Sequence, residues 1–383
     1  MKGLSRAALG LGVAGALAPL AAEVRVARAA RPPTDRWRRV PVAPRGATLL
    51  GISFRPRQVE ALGLDARATF QALLAYPFDL VRLGAYWDRV EPAPGAFRPD
   101  ELDWQVEAAE RAGKRIILCV GAVKTFGYPE FFVPAHHLPR PLREGHLVEP
   151  AAHRPLLAAA TAFVARVVAR YRDREAVVAW QVEHEAVDPL GLEHSWRLAA
   201  DFVRAEVAAV RAADPARPVV LNGYLPASLP VLLQQWWRTR DQGDSLAVAE
   251  RLADIVGVDY YPRHALAGAG PWTLYLDGGR SPWPRRRARD LLARARADGR
   301  RVMVTEGQAE PWETATVPPA PPDRAMASCP PERVIENYNQ CLAWAGPGRL
   351  YAYLLWGAEY WVLRRQQGDG RYLGAFARVL ADA

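Results

Sequence analysis

Lysine is almost missing from this chain. Of 50 lysines and arginines, only Lys2, Lys114 and Lys124 are lysine. The net charge of +9 raises the question of a nucleic-acid or acidic-polymer partner. The arginines are scattered over helix-like segments, however, and the longest basic run is Arg285-Arg286-Arg287 beside Arg289. Such scatter fits a biased composition, rich also in alanine and proline, and no nucleic-acid partner is expected. Cysteine is scarce as well, with three residues. No Cys/His group has zinc spacing, so no metal and no cofactor are expected. Cys119 lies in a buried-strand pattern and reads as a core thiol. Cys329 and Cys341 are a pair that an exported protein could bridge. A glycine-rich phosphate loop is also lacking. The turn after the first strand-like run is Phe54-Arg55-Pro56-Arg57, which argues against a dinucleotide-binding open sheet.

No clear membrane span is present. The apolar stretch Ala7–Ala22 falls short of the ~20 residues a span requires. Lys2 and Arg6 precede it, and Ala27-Arg28-Ala29 offers a small-x-small site. That is a secretory pattern. Residues 1–29 are therefore expected to be a signal peptide or N-terminal anchor, and the protein secreted, periplasmic or held in the cell envelope. Residues 30–46 are Pro/Arg-rich and read as a linker or irregular wrap, with the main domain over 47–383.

What the chain does have is alternation. Eight short apolar runs read as strands: Thr48–Phe54, Leu80–Ala85, Arg115–Gly121, Val177–Glu183, Pro218–Asn222, Asp254–Tyr260, Arg301–Thr305 and Leu350–Trp356. They are β-branched or aromatic, as strands buried on both faces must be. Helical periodicity fills the intervals, as in Asp100–Ala112, which stops at Gly113. Eight βα repeats predict an α/β TIM barrel in a single domain, with an open doubly wound sheet as the alternative. The longer loops follow strands three and seven, on the face where such barrels place their substrate contacts.

Two of the runs end in glutamate: Trp180-Gln181-Val182-Glu183-His184-Glu185 and Val302-Met303-Val304-Thr305-Glu306. Carboxylates at the ends of strands four and seven face each other across a barrel mouth. One can protonate a glycosidic oxygen while the other attacks the anomeric carbon. Glu185 is the acid/base candidate and Glu306 the nucleophile. Glu183 and Glu310 are their rivals.

Four stretches resemble the large retaining clan of TIM-barrel glycosidases that includes cellulases, xylanases, β-galactosidases and β-mannanases. They are Val81 to Pro92 with Gly95 and Phe97, Trp180 to Glu185, Thr305 to Trp312, and Leu355-Trp356-Gly357. The similarity spans about residues 48–380, in the clan's order. The resemblance implies a retaining hydrolase of a β-linked glycan, with a covalent glycosyl-enzyme and an oligo- or polysaccharide substrate. It places Arg82 beneath the nucleophile and Trp356 under the sugar ring. It also places one of Tyr260 and Tyr261 as donor to the nucleophile, with Tyr260 favoured. One departure concerns the residue before the acid/base, usually asparagine in the clan and His184 here. Histidine can donate the same bond to a sugar 2-hydroxyl, and some β-mannanases of the clan carry it, which points toward mannose-like substrates.

Other candidates are contextual. Lys124 lies in a loop of polar donors and aromatics after strand three. Trp87, Trp312 and Trp361 follow strands two, seven and eight and are candidates for lining the groove. Trp236-Trp237 reads equally as a platform or as helix packing. His136-His137 have no third ligand nearby in sequence and read as exposed loop residues. The functional alternatives are a non-catalytic carbohydrate-binding barrel and a transglycosylase.

Overall fold

The computed structural model describes residues 23–28, 34–127, 131–138, 140–143, 145–188, 196–269, 272–279, 282–311, 328–346 and 349–382. Eight parallel strands close into a barrel. They are β1 (Leu49–Ser53), β2 (Leu80–Gly84), β3 (Arg115–Cys119), β4 (Val177–Gln181), β5 (Val219–Tyr224), β6 (Ile255–Tyr260), β7 (Arg301–Gln308) and β8 (Ala352–Trp356). Each coincides with one of the expected runs. A run apolar at successive positions buries both pleat faces, one toward the barrel axis and one toward the helices. Leu80, Ile117, Ala179, Val220, Ile255, Met303, Ala352 and Leu354 pack together as the inner cluster, drawing on seven of the eight strands. The larger outer cluster lies between strands and helices.

Several elements lie outside that scheme. Arg263–Ala269 and Trp272–Asp277 form a hairpin after β6, and Val24–Arg28 adds to it as a third, antiparallel strand. Glu23 is buried and accepts from the Leu229 N–H at 3.3 Å. The site expected after Ala29 would thus remove a paired strand and a buried acid from the fold. The Pro/Arg-rich segment is a wrap. Trp37 is buried beside Gly374, Asn339 Oδ1 accepts from the Ala43 N–H at 2.8 Å, and Asn339 Nδ2 donates to the Pro41 carbonyl at 2.7 Å.

All three cysteines are buried free thiols, so the considered Cys329–Cys341 bridge is not formed. Cys329 Sγ lies 3.8 Å from the Gln308 carbonyl, while Cys341 sits in the apolar outer core. Burial raises the Cys341 thiol well above its ordinary pKa, which keeps it neutral and inert. Among the described residues, no helix is long and apolar enough to cross a membrane.

Candidate active site

Glu306 owes its position to an irregularity in β7. The pairing of β7 slips after Val304, on its β6 side before Glu306 and on its β8 side before Gly307. Such a bulge re-aims the side chains at a strand end. The Glu306 carboxylate is buried, with Arg82 Nη2 on Oε1 and the Tyr261 hydroxyl donating to Oε2 at 2.5 Å. His184 Nδ1 lies 3.5 Å from Oε1. Burial alone would raise this carboxyl. The Arg82 cation and the donated hydrogen bonds, joined by His184 where acid protonates its ring, outweigh it and hold the pKa below the ordinary value. Arg82 is itself enclosed, its guanidinium 4.0 Å above the Phe126 ring and 5.5 Å from that of Trp356.

The end of β4 is strained. Glu183 and Glu185 have φ of 56° and 42°, a left-handed conformation uncommon outside glycine and frequent at functional sites. Two anchors hold Glu185. Its N–H donates to Asn222 Oδ1 at 3.3 Å, and its carbonyl accepts from Lys124 Nζ at 2.7 Å. The same Nζ donates to the Asp188 carbonyl at 3.0 Å. Glu183, the rival acid, serves the loop after β3: its carboxylate accepts the N–H groups of Val123, at 2.9 Å, and Lys124. Gly121 leaves room for this turn, since a Cβ there would lie 2.0 Å from the Glu183 nitrogen. Glu183 also bonds Glu206, whose carboxyl is raised well above its usual value by burial and then by the Glu183 charge. Both carboxyls are raised, so that pair holds a proton within the fold.

Asn222 and Asp259, which the sequence reading passed over, organise the rest. Asn222 Oδ1 accepts from Gln181 and from the Glu185 N–H, which leaves Nδ2 to donate to His184 Nδ1 at 2.9 Å and to Asp259 at 2.5 Å. This network assigns the His184 hydrogen to Nε2. Burial lowers the His184 pKa to about 4, so the ring is neutral at physiological pH. Asp259 is raised well above the usual range, by burial first and the Glu306 charge second. An oxygen of its carboxyl lies within 4.8 Å of one of Glu185, and the upward shift favours a proton on Asp259. The signal that would have found these residues is a polar side chain at the end of an otherwise apolar strand.

The structure brings Glu306, Arg82, His184 and Trp356 together, with Glu185 joined through Asn222 and Asp259. Trp356 is almost fully buried, and Arg55 lies 4.1 Å over its ring. Four candidates differ from expectation. Tyr260 points to the helix layer, its hydroxyl donating to Gln340 at 2.8 Å and its ring 4.3 Å from Trp344. The neighbour Tyr261 makes the contact with Glu306. Trp87 is core, stacked on Phe163 and His137, with Nε1 donating to Glu91. Trp361 is core too, donating to the Ala309 carbonyl. Lys124 caps two carbonyls instead of facing the groove. Glu310, the rival nucleophile, pairs with Arg55 at 3.0 Å. Gly357 (φ 113°) makes room for it, because a Cβ there would lie 2.3 Å from Glu310 Cβ. Trp236 and Trp237 are 62% and 61% exposed, which favours a surface platform over helix packing. Trp312 lies outside the described residues.

The two tyrosines can be told apart by experiment. A hydrogen bond to a charged group contributes about 1.5–3 kcal/mol, so Tyr261→Phe is expected to lower turnover roughly 10- to 150-fold. Tyr260→Phe is expected to leave it near wild type. Equal effects in steady-state assays would contradict the assignment.

The closed barrel of eight parallel strands is a TIM barrel, and it carries its four motifs at the ends of β2, β4, β7 and β8. The β-galactosidase family Glyco_hydro_42 matches residues 65–190. Among solved structures, a GH5_18 variant from Streptomyces cattleya in complex with Manβ1-4GlcNAc is similar, with 19% identity and a TM-score of 0.52, over 81% of this chain and 70% of that one. The exo-β-1,4-mannosidase Op5Man5 from Opitutaceae bacterium strain TAV5 is 16% identical, with a TM-score of 0.52, over 81% and 52%. Xylanase 10B from Thermotoga petrophila RKU-1, in complex with xylobiose, is 13% identical, with a TM-score of 0.53, over 88% and 94%. A search of curated proteins found no match.

Proposed function

We propose that this protein is a retaining glycoside hydrolase of β-linked glycans, with Glu306 as nucleophile, Glu185 as acid/base and β-mannosides as its preferred substrates. The observation that carries this reading is the contrast between the two carboxyl groups. Glu306 is held as an anion by Arg82 and Tyr261, whereas Glu185 lies beside Asp259, a carboxyl that burial raises well above the usual range. Environments that push two carboxyls apart assign the acid and the base. In the first step Glu306 bonds to the anomeric carbon as the glycosidic C–O bond breaks, and the leaving oxygen takes the Glu185 proton. In the second, Glu185 takes a proton from water, which displaces Glu306 and restores the original configuration.

The preference for mannose rests on His184. A neutral ring with hydrogen on Nε2 has a donor to offer a sugar hydroxyl. Two of the similar barrels are named for, or hold, β-mannosides. The test is a panel of aryl β-mannoside, glucoside, galactoside and xyloside, with the first-formed anomer read by NMR. Fastest release from the mannoside, with the β-anomer first, is expected. An α-anomer first would overturn retention. A panel without turnover, from a folded protein that still binds glycans, would favour the carbohydrate-binding barrel.

A further inference from the structure

We propose that Glu91, His136 and His137 form a binding site for one divalent transition-metal ion of the zinc type, fastening the loop after β3 to the loop after β2. The two histidines are adjacent in sequence, and the fold supplies the third ligand from 45 residues upstream of the nearer one. Their Nε2 atoms converge on a single oxygen, Glu91 Oε1, at 3.1 Å and 2.9 Å. All three donor atoms lie within 4.8 Å of one another. A tetrahedral zinc ion with bonds of 2.0–2.1 Å separates its ligand atoms by about 3.3 Å. The two edges to Glu91 lie within a few tenths of an ångström of that spacing, and the edge between the two Nε2 atoms, at most 4.8 Å, closes by up to about 1.5 Å around an ion.

The surroundings are those of a supported site. Trp87 Nε1 donates to Glu91 Oε2 at 2.8 Å, which fixes the carboxylate and leaves Oε1 to the ion. The Trp87 ring stacks on His137, with centroids 4.7 Å apart and planes at 29°, and orients that imidazole. Outer partners of this kind set ligand orientation and affinity. The three side chains are 18–22% exposed, which gives an ion a path in and a water molecule room as fourth ligand. Two neutral imidazoles with one anionic carboxylate suit zinc, cobalt or nickel better than calcium or magnesium, which prefer an all-oxygen set. Without an ion both rings must point an Nε2–H at the same oxygen. With one, each ring carries its hydrogen on Nδ1 and presents the Nε2 lone pair. The adjoining backbone agrees with a clamp, since the Asp88 N–H already donates to the Phe132 carbonyl across the same two loops at 2.8 Å.

The experiment uses the full, tag-free chain, dialysed against chelator and titrated with Zn²⁺ by calorimetry and with Co²⁺ by visible absorption. One equivalent is expected to bind, with cobalt bands of tetrahedral intensity and a rise in Tm. Glu91→Gln, His136→Gln and the His136→Ala, His137→Ala double variant are expected to weaken binding at least ~10- to 100-fold and to abolish the metal-dependent part of the Tm. A Tm in chelator equal to wild type separates loss of the site from loss of the fold, and His136→Gln keeps a polar group at its position. Failure of the native chain to bind one equivalent overturns the proposal. So does binding of unchanged affinity in the double variant, which would place the ion elsewhere. None of these readouts depends on glycan cleavage.

Discussion

Glu306→Ala is expected to abolish turnover of any glycoside the protein cleaves, by on the order of 10⁴- to 10⁶-fold, the range seen when a nucleophile that works as a unit with its partners is removed. The change leaves the buried Arg82 cation without its partner, at about 3–5 kcal/mol, so the variant's fold is checked by circular dichroism beside its rate. The outcome that distinguishes nucleophile from acid is chemical. In Glu306→Ala, added azide can enter from the vacated face and would give the α-glycosyl azide. In Glu185→Ala the glycosyl-enzyme still forms on Glu306 from an aryl glycoside with a good leaving group, and azide attacking it would give the β-product. Both variants yielding the same anomer, or Glu306→Ala retaining wild-type rates, would remove Glu306 from the reaction.

Arg82→Met is expected to have the second largest effect, on stability and activity together. Removing one partner of a buried ion pair leaves an uncompensated charge, at about 3–5 kcal/mol. The sign with pH follows from the direction of the shift. Glu306 has a folded-state pKa below its ordinary value. Its ionisation therefore stabilises the fold above the unfolded pKa, and that contribution is lost as pH falls through the folded pKa. Without Arg82 the carboxyl titrates higher. The deficit against wild type, read by urea unfolding, should be largest near neutral pH and smaller in acid. The acidic limb of the kcat/KM profile should move to higher pH, because the attacking group must be ionised. A variant with unchanged stability and an unmoved limb would show that Arg82 does not hold the charge on Glu306.

How much of this was legible in the chain depended on the kind of signal. The barrel was readable because runs such as Ile116-Ile117-Leu118 and Val302-Met303-Val304 leave no polar face to expose. The hairpin Arg263–Asp277 was not, since its first strand is rich in alanine and glycine. Val24–Arg28 does alternate in the strand period, but it stands beside an export-like run that dominates the pattern. The choice between Tyr260 and Tyr261 turned on where β6 ends. Alternation holds only inside a strand, and β6 stops at Tyr260, after which Tyr261 is free to turn inward. Trp87 and Lys124 were misplaced for a shared reason. Position after a strand says that a residue lies near the barrel mouth, whereas packing decides whether it faces the mouth or supports it. The role of Glu91 was invisible because its partners stand 45 and 46 residues away.

The scarcity of lysine acquires a meaning once Lys114 and Lys124 are seen in place. Each ammonium lies between two main-chain carbonyls, Lys114 on Tyr76 and Phe78, and Lys124 on Glu185 and Asp188. A compact, three-pronged donor fits such a cap where a flat guanidinium does not, so a chain that uses arginine almost everywhere has kept lysine there. Among the described residues, no side-chain amine is therefore exposed to solvent. Amine-directed dyes, cross-linkers and resins would leave the described barrel untouched.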